Sequence, residues 1–310
     1  MNLKTKIGKL VLKNPILVAS GCFGYGEEYA PLLDLSRLGG VVTKGISLKP
    51  RPGNLPPRLA ETPAGLLNSI GLENVGVDRF IEDKLPFLRK QKACVIVNIF
   101  GESLGEYRKL AGIFNDIDGI AGLEINISCP NVERGGLEFG LTPDSTRKVI
   151  ETVRGKTSLP ILAKLSPNVT DIVEIARAAM TGGADGLTLI NTLKGMAIDV
   201  NTRRPKLARV IGGLSGPAIR PVAVRMVYEV SRKLSVPIIG VGGIDSTEAA
   251  LEFFIAGARA VQIGTGLLIN PRLPLAILPE LVEYLDNQRL KGIESLVGNM
   301  PMDKPKRRKA

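Results

Sequence analysis

Short runs of apolar, often β-branched residues recur along the chain, and a longer amphipathic stretch or a loop follows each of them. The runs are residues 16–20, 41–45, 94–100, 123–128, 161–166, 187–191, 238–242 and 261–264. Strands that are apolar almost throughout are typical of a parallel sheet covered on both faces. Eight such strands alternating with helices predict an α/β protein with a (β/α)8 architecture, the TIM barrel.

Amphipathic stretches between these runs predict the outer helices, as at residues 145–153, 169–180, 220–234 and 246–256. A barrel of this kind needs about 250 residues. The additional residues fall mainly after strands two and six, with a smaller excess after strand four, so we place the insertions there. Residues 3–12, with a turn at Gly8, predict an N-terminal β-hairpin that closes the bottom of the barrel.

A doubly wound sheet is the competing fold, and its dinucleotide-binding fingerprint is incomplete in this chain. The segment from Gly240 to Asp245 has the first two glycines of G-x-G-x-x-G, but Asp245 stands where the third glycine belongs. The match is too weak to indicate NAD binding by this chain.

Composition suits a soluble α/β protein, since 44% of the 310 residues are hydrophobic and 35 are glycine. We assign residues 1–302 to a single barrel domain. The formal net charge of +11 raises the question of an anionic partner, but residues 303–310 hold five cationic side chains and one aspartate. We interpret this basic segment as a solvated, disordered tail and expect no binding of nucleic acid.

The N-terminal residues are polar and basic, and no run approaches the roughly 20 apolar residues that span a bilayer. We therefore expect a cytoplasmic protein with no membrane contact. Three widely spaced cysteines, Cys22, Cys94 and Cys129, suit neither a disulfide framework nor a metal or iron-sulfur site. Because the chain has no histidine, Cys129 at the end of the fourth strand is the leading candidate for proton transfer.

Polar residues stand at the end of strand after strand, where the active sites of such barrels lie. These residues are Ser20, Lys44 (followed by Gly45), Asn98, Asn126, Cys129, Lys164, Asn191 and Thr192. Any one of them has a structural explanation, because an asparagine can cap a helix and a lysine can extend into solvent. Together they predict a pocket of amides and lysines without compensating carboxylates, which suits an anion.

Two glycine-rich loops follow strands seven and eight, at Gly240-Val241-Gly242-Gly243 and Gly264-Thr265-Gly266. Glycines let backbone N–H groups approach a ligand, and these loops form the usual phosphate site of a barrel. Tight packing of backbone turns is the alternative explanation for either loop. A ring system with a phosphate tail near Lys164 suits flavin mononucleotide, FMN.

The motifs together resemble class 1 dihydroorotate dehydrogenases over nearly the whole chain. The matching segments are Asn14-Pro15, Ala19-Ser20-Gly21-Cys22-Phe23-Gly24, Thr43-Lys44-Gly45, Asn68-Ser69-Ile70-Gly71-Leu72-Glu73-Asn74, Asn126-Ile127-Ser128-Cys129-Pro130-Asn131, Lys164-Leu165-Ser166-Pro167-Asn168, Asn191-Thr192, Gly213-Leu214-Ser215-Gly216-Pro217 and both glycine loops. The block from Gly21 to Tyr29 resembles subclass 1B. The membrane-bound class differs, since it uses a serine as its base and has an N-terminal extension.

The resemblance implies which residues hold cofactor and substrate. FMN is expected at Ser20, Lys44, Gly45, Asn98, Asn126, Lys164, Ile190, Gly216, Gly242, Gly243, Gly264 and Thr265. Dihydroorotate or orotate is expected at Lys44, Asn68, Ser69, Ile70, Gly71, Leu72, Asn126, Asn131, Asn191 and Thr192. No metal is implied.

The implied reaction is the oxidation of (S)-dihydroorotate to orotate in pyrimidine (UMP) biosynthesis. We expect Cys129 to take the C5 proton while a hydride passes from C6 to FMN N5, with Lys164 offsetting charge on the ring and Lys44 also in the catalytic set. Residues 130–140, with Gly135 and Gly136, are a candidate lid. Electrons are expected to reach NAD through a partner subunit that carries FAD and a [2Fe-2S] cluster, in a heterotetramer built on a homodimer of barrels.

Three alternatives remain open on the sequence. A subclass 1A enzyme would use fumarate without a partner subunit. A flavoenzyme that reduces uridine in tRNA would explain the basic charge, but residues 267–310 are too short for the helical RNA-binding domain of such enzymes. A non-catalytic barrel could bind a phosphorylated ligand, although it would have no use for Cys129 beside two lysines.

Overall fold

The computed structural model describes residues 1–128, 130–131 and 137–301. In chain order the strands are β1 (Thr5–Ile7), β2 (Leu10–Leu12), β3 (Ile16–Val18), β4 (Gly40–Val42), β5 (Leu59–Thr62), β6 (Gly65–Asn68), β7 (Val95–Ile99), β8 (Ile120–Asn126), β9 (Pro130–Asn131), β10 (Leu137–Glu138), β11 (Ile161–Leu165), β12 (Gly186–Leu189), β13 (Leu193–Met196), β14 (Ile198–Asp199), β15 (Arg204–Pro205), β16 (Ile211–Ser215), β17 (Ile238–Val241) and β18 (Ala260–Ile263). Eight of them, β3, β4, β7, β8, β11, β12, β17 and β18, close into one barrel, with every neighbouring pair parallel. The predicted TIM barrel is confirmed.

Each barrel strand overlaps one of the apolar runs. The strands end before the polar residues that close most of the runs, so Lys44 and Asn191 lie in the loops that follow β4 and β12. Along β11 the side chains alternate: Ile161, Ala163 and Leu165 belong to the large core beneath the helices, while Leu162 belongs to the core inside the barrel. Both faces are therefore buried, which explains the near-continuous apolar pattern.

The α-helices are α1 (Ser20–Phe23), α2 (Gly76–Arg79), α3 (Leu85–Lys90), α4 (Leu104–Asn115), α5 (Pro143–Arg154), α6 (Ile172–Thr181), α7 (Arg220–Lys233), α8 (Thr247–Ala256), α9 (Gly266–Ile269) and α10 (Leu273–Asn287). Side-chain caps fix where several of them begin, because an oxygen at the N-cap accepts a backbone N–H that would otherwise have no partner. Ser103, Thr142, Asp171 and Ser246 cap α4, α5, α6 and α8 in this way. No helix among the described residues is long and apolar enough to cross a membrane.

The N-terminal hairpin of β1 and β2 closes the bottom of the barrel, as predicted. Its turn uses Gly8 at φ +56°, a conformation that favours glycine. Ile7, Leu10 and Leu12 of the hairpin form a buried cluster with inward side chains of six barrel strands. The members of the cluster that come from the barrel strands are Leu17, Val42, Ile96, Leu162, Ile239 and Ala260. The lower interior of the barrel is thus a packed apolar core.

Insertions follow barrel strands two, four and six, again as predicted. The first and third associate, because β5 and β6 pair with β16 and β13 in a four-stranded antiparallel sheet, order β13-β16-β6-β5. β14 and β15 form a small hairpin in the third insertion, and β9 pairs with β10 in the second. The predicted tail at residues 303–310 lies outside the described residues, and the single-domain assignment for residues 1–302 stays a prediction.

Candidate active site

Lys164 lies on β11 with its ammonium inside the mouth of the barrel, and only 6% of the residue is exposed. Its Nζ is 3.4 Å from the Ser20 hydroxyl and 3.5 Å from a carboxylate oxygen of Glu124. An ammonium has three donors, and both contacts are at the long end of hydrogen-bond distances. Lys164 therefore retains donor capacity for a bound molecule.

Glu124 corrects the expectation that no carboxylate compensates the lysines. This residue on β8 has no exposed surface and forms an ion pair with Lys164. It also accepts hydrogen bonds from Asn98, Thr188 and Gln262. The sequence offered a signal: an acidic residue inside an apolar strand, two positions before Asn126, faces the same way as Asn126.

Asn98 on β7 is buried at 1% exposure, and its Nδ2 donates to Glu124 at 2.8 Å. Gly45 lies beside it, since an ideal Cβ on Gly45 would lie 2.9 Å from Asn98 Oδ1 and 3.0 Å from the Phe100 ring. Any larger residue at position 45 would displace these groups. The structure therefore brings together two of the predicted cofactor residues.

Three side chains cross-link the ends of β8 and β12. Asn191 Nδ2 donates to Asn126 Oδ1 at 3.3 Å and to Ser128 Oγ at 3.0 Å. The Ser128 N–H also donates to Asn126 Oδ1, at 3.2 Å. Asn126 Nδ2 has no hydrogen-bond partner among the described residues, so a donor remains at this edge. Thr192 follows directly, with its N–H bonded to Asn191 Oδ1.

Cys129, the predicted base, lies outside the described residues. Asn131 is described in its backbone only, where β9 pairs Asn131 with Leu137 of β10. The candidate lid, residues 130–140, is described only at its two ends, so the lid stays a prediction.

Lys44 also has a carboxylate partner, which is a second correction. Its Nζ is 3.8 Å from Glu73, and Glu73 is held more closely by Arg58, at 2.8 Å. These side chains are between a quarter and two fifths exposed, so the pair is screened by water and weak. An anionic ligand could replace Glu73 beside Lys44 at small cost.

The predicted substrate block from Asn68 to Leu72 lies in the first insertion and is bonded to the third. Asn68 Nδ2 donates to the carbonyl of Gly213, and the Ile70 carbonyl accepts the N–H of Asn54. Gly71 and Leu72 both have positive φ, at 78° and 59°. The Ser69 hydroxyl is shielded from solvent and has no hydrogen-bond partner among the described residues. An unpaired buried hydroxyl is unfavourable, so a ligand that reaches Ser69 would satisfy it.

The glycine positions after strands six, seven and eight converge. An ideal Cβ on Gly243 (φ +75°) would lie 2.8 Å from the Gly216 carbonyl oxygen, and one on Gly216 (φ +91°) would lie 2.7 Å from the backbone of Gly65. Gly242 also has positive φ, at 130°. The Thr265 hydroxyl is 2.8 Å from that of Ser215, which ties the loop after β18 to β16.

Two predicted cofactor residues remain to be placed. Ile190 is buried, and its N–H bonds to the carbonyl of Val241. At Gly264 an ideal Cβ would meet only ordinary contacts, 3.6 Å from Ala19 and 3.7 Å from Cys22 Sγ. At neighbouring Gly21 nothing lies within 4 Å. Open space therefore borders the Lys164 side of the mouth.

Cys22 lies at this side of the mouth too, but its chemistry differs from that expected of a base. Burial raises the pKa of the Cys22 thiol, while the charge of Lys164 and a hydrogen bond with Thr265 oppose the shift. Burial likewise raises the pKa of Cys94. Both thiols are protonated at neutral pH and are poor bases there.

This donor set fits a flavin nucleotide. A flat ring with donors and acceptors on its edge matches the remaining donor of Lys164, the Nδ2 of Asn126 and the fixed amide of Asn98. A phosphate tail matches the loops at Gly242, Gly243 and Gly264, because a glycine has no side chain of its own to keep a phosphate from its backbone N–H.

Comparison with known proteins agrees with this geometry. A family model described as dihydroorotate dehydrogenase matches residues 2–285. Proteins named dihydroorotate dehydrogenase B (NAD(+)), catalytic subunit, are similar over nearly their whole length. That of Geotalea daltonii is 52% identical, covering 96% of this chain and 97% of its own; that of Desulforudis audaxviator is 54% identical, covering 96% and 98%; that of Thermoanaerobacter sp. is 49% identical, covering 98% and 100%. The chain belongs to the dihydroorotate dehydrogenase family.

Proposed function

We propose that this chain is the catalytic subunit of an NAD-linked dihydroorotate dehydrogenase, which oxidises (S)-dihydroorotate to orotate in pyrimidine biosynthesis. The observation that carries the proposal is the convergence of a buried lysine and three strand-end asparagines on one mouth of the barrel. Relatives about 50% identical over almost the whole chain bear the corresponding name.

The family is flavin-dependent, and we assign FMN as the cofactor of this chain. Lys164, Asn98 and Asn126 would hold the ring, and the loops at Gly216, Gly242, Gly243, Gly264 and Thr265 would hold the phosphate. When bound, the flavin supplies the acceptor for the C6 hydride. Lys164 would supply a cation at the ring edge, and since only 6% of Lys164 is exposed, little bulk water would reach it there.

The product orotate is a planar ring, and the substrate dihydroorotate presents the same single carboxylate and the same amide edges. Lys44 supplies a cation for the carboxylate of the substrate. That carboxylate can bind beside Glu73 or displace Glu73 from Lys44. Amide side chains at Asn68, Asn126 and Asn191 can pair with the amide edges, since each has both donor and acceptor atoms. The Ser69 hydroxyl, which has no hydrogen-bond partner among the described residues, is a further donor next to Asn68. Asn131 and Thr192 complete the proposed set.

We assign the C5 proton to Cys129. Its neighbour Ser128 is held on both sides, through its N–H to Asn126 and through its hydroxyl from Asn191. The other two cysteines are unsuitable because burial raises the pKa of each.

We further propose that electrons leave this chain through a partner subunit carrying FAD and a [2Fe-2S] cluster, in a cytoplasmic heterotetramer. The words "catalytic subunit" and "NAD(+)" in the names of the relatives support this arrangement over a fumarate-linked one. The chain itself lacks the dinucleotide fingerprint, so NAD would bind elsewhere.

Replacement of the proposed base tests the assignment directly. In Cys129→Ala we expect FMN to stay bound, while reduction of the flavin by dihydroorotate slows by about 10²- to 10⁴-fold, the usual contribution of a general base. Anaerobic stopped-flow absorbance measures both quantities. Cys94→Ala is the matched control, because it removes a partly buried thiol near the barrel bottom, and should reduce at the wild-type rate. Near-normal reduction in Cys129→Ala would exclude Cys129 as the base.

A further inference from the structure

A single carboxylate connects five strands inside the upper half of the barrel. Glu124 on β8 has no exposed surface. One of its oxygens accepts from Asn98 of β7 at 2.8 Å and lies 3.5 Å from Lys164 of β11. The other accepts from Thr188 of β12 at 3.0 Å and from Gln262 of β18 at 2.6 Å. Neither the residues proposed for the cofactor nor those proposed for the substrate include Glu124.

The charge of this carboxylate is balanced by Lys164. Burying an ionised carboxylate is costly unless it is paired and hydrogen-bonded. Three neutral donors satisfy its lone pairs, but only the ammonium offsets its charge. The positive charge that Lys164 presents at the mouth is therefore reduced by the negative charge next to it.

Glu124 also fixes the orientation of Asn98. An ionised carboxylate only accepts hydrogen bonds, so the Asn98 side chain must direct its Nδ2 towards Glu124. Its Oδ1 then points the other way, towards Gly45 at the mouth. A neutral amide at position 124 would allow either orientation of Asn98.

We propose that Glu124 is a positioning residue that sets the net charge and the hydrogen-bond polarity of the flavin site by acting on Lys164 and Asn98. The inference rests on the proposed function, because it requires a flavin beside Lys164. A purely structural role does not require a charge, since a barrel interior is stable with apolar side chains, as the lower half shows.

The reduction potential of the bound flavin tests the proposal without turnover. In Glu124→Gln, loss of a buried negative charge leaves Lys164 unbalanced and favours the more negative, reduced flavin. We expect the equilibrium constant for reduction to rise about tenfold, which is about 30 mV for a two-electron couple. Dye-equilibrated reductive titration of the FMN-loaded chain measures the shift.

Thr188→Val is the matched control, because it removes a hydrogen bond to the same carboxylate without changing its charge. We expect a change of threefold or less in this variant. Equal shifts in the two variants, or no shift in Glu124→Gln, would overturn the proposal. If Glu124→Gln does not fold with FMN, Lys164→Gln is compared with Glu124→Gln/Lys164→Gln. The double variant should have the higher potential, and equal potentials would again overturn the proposal.

The outcomes separate this inference from the proposed function. A wild-type chain that binds no FMN, or whose FMN is not reduced by dihydroorotate, contradicts the function. A wild-type flavoprotein that dihydroorotate reduces, with variants that do not differ in potential, contradicts only the role of Glu124.

Discussion

The upper and lower halves of the barrel interior are built from the same strands but from opposite kinds of residue. On β7, β11 and β18, an apolar side chain of the lower half is followed two positions later by a polar one of the upper half. The pairs are Ile96 and Asn98, Leu162 and Lys164, and Ala260 and Gln262. The lower members pack on the N-terminal hairpin, whereas the upper members gather around Glu124.

The comparison shows that the lower half depends on the shape of its side chains, whereas the upper half depends on their charge and hydrogen bonds. The lower half excludes water by close packing and needs no particular chemistry beyond volume. The upper half is buried just as deeply, yet each polar group there needs a hydrogen-bond partner. Filling the same space with polar groups is therefore less favourable in free energy than filling it with apolar ones. A ligand at the mouth that binds to these polar groups would explain why the upper half contains them. Substitutions in the upper half should therefore affect flavin reduction as well as stability, whereas substitutions in the lower half should affect mainly stability.

The largest expected effect is at Lys164. Lys164→Gln should slow flavin reduction by dihydroorotate by about 10²- to 10³-fold, the usual loss when one electrostatic stabiliser is removed. It should also lower the free energy of unfolding, by about 3–5 kcal/mol, because Glu124 is left unpaired. In Glu124→Gln/Lys164→Gln the stability should return close to that of the wild type while the rate stays low.

Urea unfolding and stopped-flow reduction of the single and double variants measure these two quantities. If the double variant were as unstable as the single one, the upper half would be structural and the contrast between the halves would be lost. Full recovery of the rate would show that the charge of Lys164 has no part in the chemistry.

The next effect is on the same strand, two residues earlier. Leu162→Ala removes a fully buried side chain from the lower half, which should lower the free energy of unfolding by about 2–5 kcal/mol. Flavin reduction per folded molecule should change less than threefold, because the cavity lies away from the mouth. A drop of tenfold or more in a folded variant would mean that the two halves are coupled.

Much of this architecture follows from the sequence because its signals are local. Each barrel strand lies in a mainly apolar run, and the hairpin at Gly8 and the helices that follow Thr142 and Ser246 carry their own turn or cap residues. Such signals need no knowledge of distant contacts. The strand-end residues could be predicted for the same reason, since parallel strands bring their ends to one mouth.

The contacts that could not be predicted from the sequence form only when the barrel closes. Glu124 and Gln262 are 138 positions apart and lie on opposite sides of the barrel, so no local pattern indicates that they touch. The pairing of β6 with β16, from separate insertions, is equally remote in sequence. The expectation of lysines without carboxylates was wrong on this account: Glu124 was taken as part of an apolar strand, and Glu73 only as part of the segment from Asn68 to Asn74 that resembles the family.

The smallest expected effect concerns how closely the lower half is packed. An ideal Cβ on Gly186, at the start of β12, would lie 2.4 Å from Ile7 Cγ2 of the hairpin, and real Cβ atoms do not approach so closely. Gly186→Ala should therefore displace the hairpin and lower the free energy of unfolding by about 1–3 kcal/mol. In an Ile7→Ala background the obstructing methyl group is gone, so adding Gly186→Ala should cost little or nothing further. Urea unfolding of the four proteins gives the coupling. Additive losses in the free energy of unfolding would mean that Gly186 is required for a reason other than its contact with Ile7. Close packing against the hairpin would then not explain the glycine at this position.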